Sequence, residues 1–98
     1  MTFYNLIVLK RANRDLGGIM KYKAGFYSET ASKFWREYTK IRDIIEENPY
    51  AFPVYQFDPR YRRSVIMEYL LFYKVFDKSH TVKVYRVLHG KMDMDEHL

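Results

Sequence analysis

The sequence predicts an α+β fold with the element order β-α-α-β-β-β, in which a helical hairpin packs on one face of an antiparallel sheet. A short apolar run at residues 3–9 is rich in strand-forming side chains, and apolar side chains then recur at helical spacing as far as residue 47. From residue 61 the pattern changes to a period of two, which is typical of strands. Two amphipathic helices must bury their apolar stripes, and one face of the sheet provides the surface.

The first helix is predicted from about Arg11 to Ala24, with Gly25 at its end. Five side chains keep helical spacing along it: Ala12, Leu16, Ile19, Met20 and Lys23. Gly17 and Gly18 lie inside this segment, and each costs about 1 kcal/mol relative to alanine. The glycine pair therefore leaves open whether the helix is intact or bent at this point.

The second helix has the clearest pattern in the chain. Its apolar stripe consists of Phe34, Trp35, Tyr38, Ile41, Ile44 and Ile45. We expect Ser28 to cap its N-terminus, with Glu29 in the first turn. Pro49 stops it, because the residue before a proline is pushed out of helical geometry. The aromatic stripe is interpreted as core rather than as a ligand platform.

Residues 48–60 contain all three prolines and are expected to form an extended connector that packs on the body of the domain. Three strands follow, at residues 61–66, 69–76 and 81–89. The joins at residues 67–68 and 77–79 are so short that these strands must form antiparallel hairpins. The last eight residues can form one terminal turn.

The last predicted strand alternates between two faces of the sheet. If no bulge intervenes, one face carries Val82, Val84, Arg86 and Leu88. The other face then carries Lys83, Tyr85, Val87 and His89. The alternation assigns the candidate polar residues Arg86 and His89 to opposite faces.

The 98 residues are enough for a single domain, which we expect to span residues 1–98. The chain has no cysteine, which excludes disulfides and thiolate metal sites. No apolar run approaches the roughly 20 residues that a membrane helix requires, and the N-terminal pattern is the reverse of a secretory signal. We therefore expect a cytoplasmic protein without a membrane partner.

The net charge of +5 is unevenly distributed. Residues 1–27 carry five basic and one acidic side chain, and residues 59–91 carry eight basic and two acidic ones. Residues 28–58 carry four basic and six acidic side chains, and the last seven residues carry a charge of −3. Such a field favours a polyanion or an acidic protein partner. The alternative is a solvated alkaline surface without a charged partner.

The closing stretch YLLFYKVFDKSHTVKVYRVLHGKMD resembles the RelE/ParE superfamily of bacterial toxins, whose last strand often ends R-V-x-H-G-R-R-D. The element order, the length and the proline-containing connector NPYAFPVY add to this resemblance. Membership implies the toxin of a type II toxin–antitoxin pair, silenced by a cognate antitoxin protein that wraps it. RelE-like members cleave messenger RNA on the ribosome, whereas ParE-like members act on DNA gyrase.

Metal-free RNA cleavage uses the 2′-hydroxyl as nucleophile and requires a base, an acid and cations around one phosphate. Four side chains are the candidates for these catalytic roles: Arg63, Lys74, Arg86 and His89. Five more are candidates for contacting RNA or another target: Arg60, Arg62, Tyr73, Tyr85 and Lys91. No metal or cofactor is predicted, because no zinc-binding pattern, phosphate loop or nucleophile elbow is present.

Leu70 argues against the ribonuclease alternative, because many nuclease members of the superfamily carry an arginine at this position. Gly90 likewise stands where some nucleases have an aromatic residue. The leading hypothesis is therefore a toxin that binds its target, as ParE-like members bind gyrase. A ribosome-dependent endoribonuclease is the first alternative, and an adaptor domain that has lost toxicity is the second. The acidic, aromatic-striped second helix is expected to form part of the antitoxin surface.

Overall fold

The computed structural model describes residues 3–98. Its elements are β1 (Asn5–Val8), α1 (Lys10–Ala24), α2 (Ser28–Glu47), β2 (Arg62–Ile66), β3 (Tyr69–Phe76), β4 (Thr81–His89) and α3 (Met94–His97). The predicted order of strands and helices is confirmed, and the predicted terminal turn is α3. In this part of the chain, no helix is both long and apolar enough to cross a membrane.

The four strands form one mixed sheet in the order β1-β4-β3-β2. The two predicted hairpins are antiparallel, but β1 runs parallel to β4, with Asn5 opposite Thr81 and Val8 opposite Val84. The expectation of a wholly antiparallel sheet is corrected in this respect. Two helices separate β1 from the hairpins, so no short turn forces its direction.

Helices α1 and α2 pack on one face of the sheet, as predicted. The core between them and the sheet includes Leu6, Ala12, Leu16, Ile19, Phe34, Tyr38, Ile45, Ile66, Leu71, Tyr73, Val82, Val84 and Val87. The predicted stripe of α2 is wider than its buried part, because Trp35 is 46% exposed and Ile44 is 37% exposed. Both lie at the flanks of the buried stripe.

Helix α1 is continuous through Gly17 and Gly18, so the glycine pair does not interrupt it. The N-terminus of α2 differs from the prediction, because Ser28 is its first helical residue and not its cap. The capping position belongs to Tyr27, which is extended and makes no side-chain capping bond. Instead, the N–H groups of Phe26 and Tyr27 donate to the carbonyl of Lys23, and this tight connection sets where α2 begins.

A bulge in β4 changes the predicted alternation of its side chains. Phe72 lies opposite Arg86 and Tyr73 lies opposite Val84, so Tyr85 has no direct partner on β3. Because one extra residue reverses the parity of a strand, Val87 joins Val84 on the helical face. The assignment of Val84 and Leu88 to one face was therefore wrong, and Leu88 belongs to the other face.

The connector packs on the sheet, as predicted. Pro49 is fully buried, Val54 forms an isolated bridge with Arg62, and Tyr55 is buried. A second cluster of buried side chains covers part of the sheet face opposite the helices: Tyr55, Tyr61, Phe72 and Leu88, with Met94 and Leu98 of the C-terminal segment packed against it. The face without helices is therefore only partly open.

Lys23 is the one buried cation of the helical face among the described residues, and its side chain is 7% exposed. Its Nζ atom lies 2.6 Å from Oε1 of Glu68, in the turn between β2 and β3. The ammonium group also lies 5.4 Å from the centre of the Tyr69 ring. The ion pair attaches the C-terminal end of α1 to that turn.

We predict that Glu68→Gln lowers the free energy of unfolding by about 1–3 kcal/mol, because it leaves the Lys23 ammonium buried without a counter-charge. Lys23→Met removes the charge but keeps the aliphatic volume, so it should cost less than Glu68→Gln. Urea unfolding followed by circular dichroism measures both. Glu47→Gln, at an exposed position of α2, is the matched control. A larger loss in Lys23→Met than in Glu68→Gln contradicts the prediction.

Candidate functional site

The face of the sheet opposite the helices carries a groove of about 600 Å³. It is lined by Tyr55, Gln56, Phe57, Arg63, Leu70, Gly90, Met92, Asp93, Met94 and Asp95. We call it the Arg63 groove. Its walls come from the connector, from β2 and β3, and from the C-terminal segment, so segments distant in sequence build it together.

Arg63 projects on this face because it lies opposite Phe72, whose side chain belongs to the second cluster. Within residues 3–98 its guanidinium has no hydrogen-bond or ion-pair partner, although its backbone N–H donates to the carbonyl of Pro53. Leu70 lines the same groove beside it. The groove thus holds Arg63, a predicted catalytic cation, and Leu70, the aliphatic residue at the position where many nuclease members of the superfamily carry an arginine.

Lys74 lies on the same face as Arg63, between two aromatic rings. Its Nζ atom is 4.7 Å from the centre of the Tyr61 ring and 4.7 Å from that of Tyr85. The two rings meet edge to face at 5.5 Å. A cation over two ring faces is held in place by the ring quadrupoles. Lys74 and Tyr85 therefore form one packed unit with Tyr61.

Arg60 is exposed and forms a two-point ion pair with Asp58, at 2.9 Å from Nε and 2.7 Å from Nη2. These hydrogen bonds hold the pKa of the Asp58 carboxyl below its usual range. The Arg62 guanidinium donates to the carbonyl of Phe52 at 2.8 Å and lies 4.8 Å from the centre of the Tyr50 ring. Arg62 thus holds the connector against β2, whereas the Arg60 ion pair lies within the connector itself.

Arg86 does not point into the Arg63 groove but reaches to α1. Its Nε and Nη2 atoms lie 2.8 and 3.0 Å from the two carboxylate oxygens of Asp15. The same carboxylate accepts the Val87 N–H at 3.0 Å, beyond the point where β1 ends. Arg86 also donates to the carbonyl of His97 at 2.7 Å, and the hydrogen bonds that it donates to Asp15 raise the pKa of its guanidinium. This predicted catalytic cation is fully engaged in holding the fold.

His89 lies on the helical face of the sheet. It pairs with Tyr69 across β3 and β4, and the two rings meet edge to face at 5.3 Å. Its Nδ1 atom accepts the backbone N–H of Lys91 at 3.1 Å, which holds the turn after β4. Arg63 lies on the other face, so the structure does not bring His89 and Arg63 to one phosphate.

Tyr73 was predicted to contact a target, but its side chain is fully buried in the core. Its hydroxyl donates to the carbonyl of Pro49 at 2.7 Å, which attaches the connector to β3. Burial raises the pKa of Tyr73 to about 12. It therefore presents no surface to a target.

The predicted site residues thus divide into separate groups. Arg63 and Lys74 share the second face with Tyr85, Arg86 is paired with α1, and His89 is on the helical face. The sequence analysis did not identify Asp15 as the partner of Arg86. Its only signal in the sequence is that it is an acidic residue beside the buried stripe of α1. Among residues 3–98, no group of three or more histidine, cysteine, aspartate or glutamate side chains could hold a metal ion.

Exposed aromatic side chains lie at the connection between α1 and α2 and in the first half of α2. Tyr22, Phe26 and Tyr27 are 63, 64 and 73% exposed, and Trp35 on α2 is 46% exposed. Tyr22 and Phe26 contact each other edge to face at 5.0 Å. We call these four residues the hairpin aromatics. An exposed cluster of large apolar side chains is typical of a protein-interaction surface.

Comparison with known proteins gives a family match over most of the chain. The family model described as ParE toxin of type II toxin-antitoxin system, parDE, matches residues 6–94. A solved structure described as the chromosomal ParDE TA system from P. aeruginosa is similar, with a TM-score of 0.73, 15% identity, and coverage of 89% of this chain and 96% of that chain.

A second similar structure is the toxin–antitoxin complex RelBE2 from Mycobacterium tuberculosis. It has a TM-score of 0.60 and 18% identity, and the match covers 91% of this chain and 93% of that chain. A search of curated proteins found no match. At these identities the two structural likenesses show the fold.

We predict that Asp15→Asn lowers the free energy of unfolding by about 2–4 kcal/mol, because the Arg86 guanidinium loses its counter-charge. The Arg86 and Asp15 side chains are only 12 and 15% exposed, so water cannot replace the lost carboxylate. The double variant Asp15→Asn/Arg86→Gln should lose less than the two single variants together. Urea unfolding measures all three, and strict additivity contradicts the coupling.

We also predict that the free energy of unfolding falls between about pH 10 and pH 12. The pKa of an unfolded tyrosine is ~10, whereas burial raises the pKa of Tyr73 in the fold to about 12. The raised pKa gives a stabilisation that is complete below pH ~10 and is lost as the pH rises toward the folded value. Tyr73→Phe should therefore show a smaller alkaline loss. Tyr50 retains part of the effect, because its hydrogen bond to Asp77 raises its pKa to about 12. Equal alkaline slopes in both proteins contradict this assignment.

Proposed function

This chain belongs to the ParE toxin family of type II toxin–antitoxin systems, and we propose that it inhibits growth by binding DNA gyrase rather than by cleaving RNA. In this proposal a cognate antitoxin neutralises it in the cytoplasm. The observation that carries the proposal is the separation of the candidate catalytic groups, with Arg63 and Lys74 on one face of the sheet and His89 on the other.

RNA cleavage through the 2′-hydroxyl requires proton transfer and charge stabilisation at the same phosphate. A sheet and its side chains separate the only candidate imidazole of β4 from the unpaired guanidinium of Arg63. Arg86, which resembles a catalytic cation in sequence, already faces the Asp15 carboxylate. A neutralised, hydrogen-bonded guanidinium offers little to an incoming phosphate.

The residues that line the Arg63 groove also favour protein binding over RNA cleavage. Leu70 is an aliphatic residue beside Arg63, and two carboxylates, Asp93 and Asp95, line the same groove. Carboxylates repel the developing negative charge of a phosphorane. These features support a groove that holds a protein surface.

The hairpin aromatics support an antitoxin as the second partner. Their exposed apolar area is available to an amphipathic segment that folds on binding. The two similar structures are themselves described as a toxin–antitoxin system and a toxin–antitoxin complex. We therefore assign the antitoxin to the α1–α2 hairpin, in agreement with the expectation drawn from the pattern of α2.

Induced expression of the chain in bacteria tests the proposed function. We expect arrested growth with filamentous cells and linear breaks in DNA, while messenger RNA in translating cells stays intact. Purified chain should inhibit supercoiling by gyrase. His89→Ala should remain as inhibitory as the native chain, because the imidazole lies away from the Arg63 groove.

Arg86→Ala is not the matched variant for this experiment, because loss of the Asp15 pair destabilises the fold. His89→Ala is compared at equal soluble amounts, with folding checked by circular dichroism. Rapid cleavage of translated messenger RNA that His89→Ala abolishes would establish the ribonuclease alternative and overturn the proposal. Harmless overproduction of folded protein would support the adaptor alternative.

A further inference from the structure

We propose that the Arg63 groove receives a protein segment of the target that presents one apolar side chain between an acidic and a basic residue. This inference rests on the proposed function and adds the surface and the chemistry of the contact. The groove combines apolar side chains, one cation without a hydrogen-bond or ion-pair partner among residues 3–98, and two carboxylates. The apolar side chains, this cation and the two carboxylates select this kind of partner together, whereas none of the three does so alone.

Large apolar side chains of the groove are exposed to solvent. Phe57 is 74% exposed and Met92 is 37% exposed, and Leu70 and Met94 line the same groove. Methionine side chains adapt to irregular apolar partners because they are unbranched and polarisable. An exposed apolar patch of this kind gains free energy when an apolar side chain covers it.

The charges of the groove distinguish a protein segment from a nucleic acid. Arg63 provides one cation from β2, whereas Asp93 and Asp95 provide two anions from the C-terminal segment. Asp93 accepts the backbone N–H of Asp95 at 3.1 Å, so its carboxylate is held in place at the start of α3. Nucleic acids bind through phosphates along their whole length, and two carboxylates oppose this contact. A segment with one acidic and one basic residue complements both the cation and the carboxylates of the groove.

The position of the groove assigns it to the target rather than to the antitoxin. It lies on the face of the sheet opposite the helices, whereas the hairpin aromatics lie on the helices themselves. Its volume of about 600 Å³ suits a few side chains of one folded partner.

Two sets of charge-neutralising variants test the proposal on the full chain. The first is Arg63→Gln, and the second is Asp93→Asn with Asp95→Asn, which keeps an asparagine at the capping position of α3. Binding is measured to the purified gyrase holoenzyme, with single-stranded RNA and duplex DNA oligonucleotides as comparison probes. We expect both sets to weaken gyrase binding about tenfold, the scale of losing one partly desolvated charge pair.

Two exposed positions outside the groove provide matched controls. Lys78→Gln removes a cation in the turn after β3, and Glu96→Gln removes an anion next to Asp95. Both should bind gyrase within twofold of the native chain. Phe57→Ser is a further variant at a position exposed enough to leave folding intact, and it should weaken binding by removing apolar contact.

The direction of the carboxylate effect decides between the two classes of partner. If Asp93→Asn/Asp95→Asn binds the oligonucleotides more tightly and gyrase no less tightly, a nucleic acid occupies the groove and the inference is overturned. If the native chain binds gyrase and every groove variant binds it equally well, the groove is not the contact, although the proposed function stands. A native chain that does not bind gyrase overturns both.

Discussion

The arrangement of β4 depends on the hydrogen bonds that the carboxylate of Asp15 accepts. It accepts two bonds from the Arg86 guanidinium and one from the Val87 N–H, at the edge of β4 that β1 no longer covers. An open sheet edge would leave its backbone groups unpaired. By satisfying that edge from α1, the carboxylate fixes the strand just after its bulge. It therefore stabilises the parity that places His89 on the helical face.

The bulge and the ion pair together give the two faces of the sheet different roles. The helical face holds the main core, and its polar groups serve the fold, as Lys23 does through Glu68. The second face is covered only in part, by the connector and the C-terminal segment. Arg63 lies there without a hydrogen-bond or ion-pair partner among residues 3–98, in a groove whose other charged lining residues are Asp93 and Asp95.

Several predictions from the sequence were accurate because they rest on local rules. Period-two alternation located β2, β3 and β4 within about one residue, and Pro49 ended α2 where predicted. The predicted faces of the residues in β4 were wrong from Arg86 onward, because a bulge adds one residue without changing the apolar pattern around it. The prediction that Tyr73 lies on the surface was wrong for a related reason. A tyrosine pattern does not show whether a backbone carbonyl, here that of Pro49, will accept its hydroxyl inside the core.

The sequence by itself determined the α+β class, the order of the elements and the resemblance to the toxin superfamily, since hydrophobic period, turn length and motif residues are all properties of neighbouring positions. Tertiary structure alone decided which candidate residues meet. Asp15 and Arg86 are 71 positions apart, and Arg63 and Asp93 approach only because β2 and the C-terminal segment border one groove. Contacts at such separations depend on strand register and on the bulge in β4. Neither leaves a mark in the local pattern. Alternation along β4 already assigned Arg86 and His89 to opposite faces, but only the fold showed that Arg86 pairs with Asp15 and that Arg63 and Lys74 share the face opposite His89.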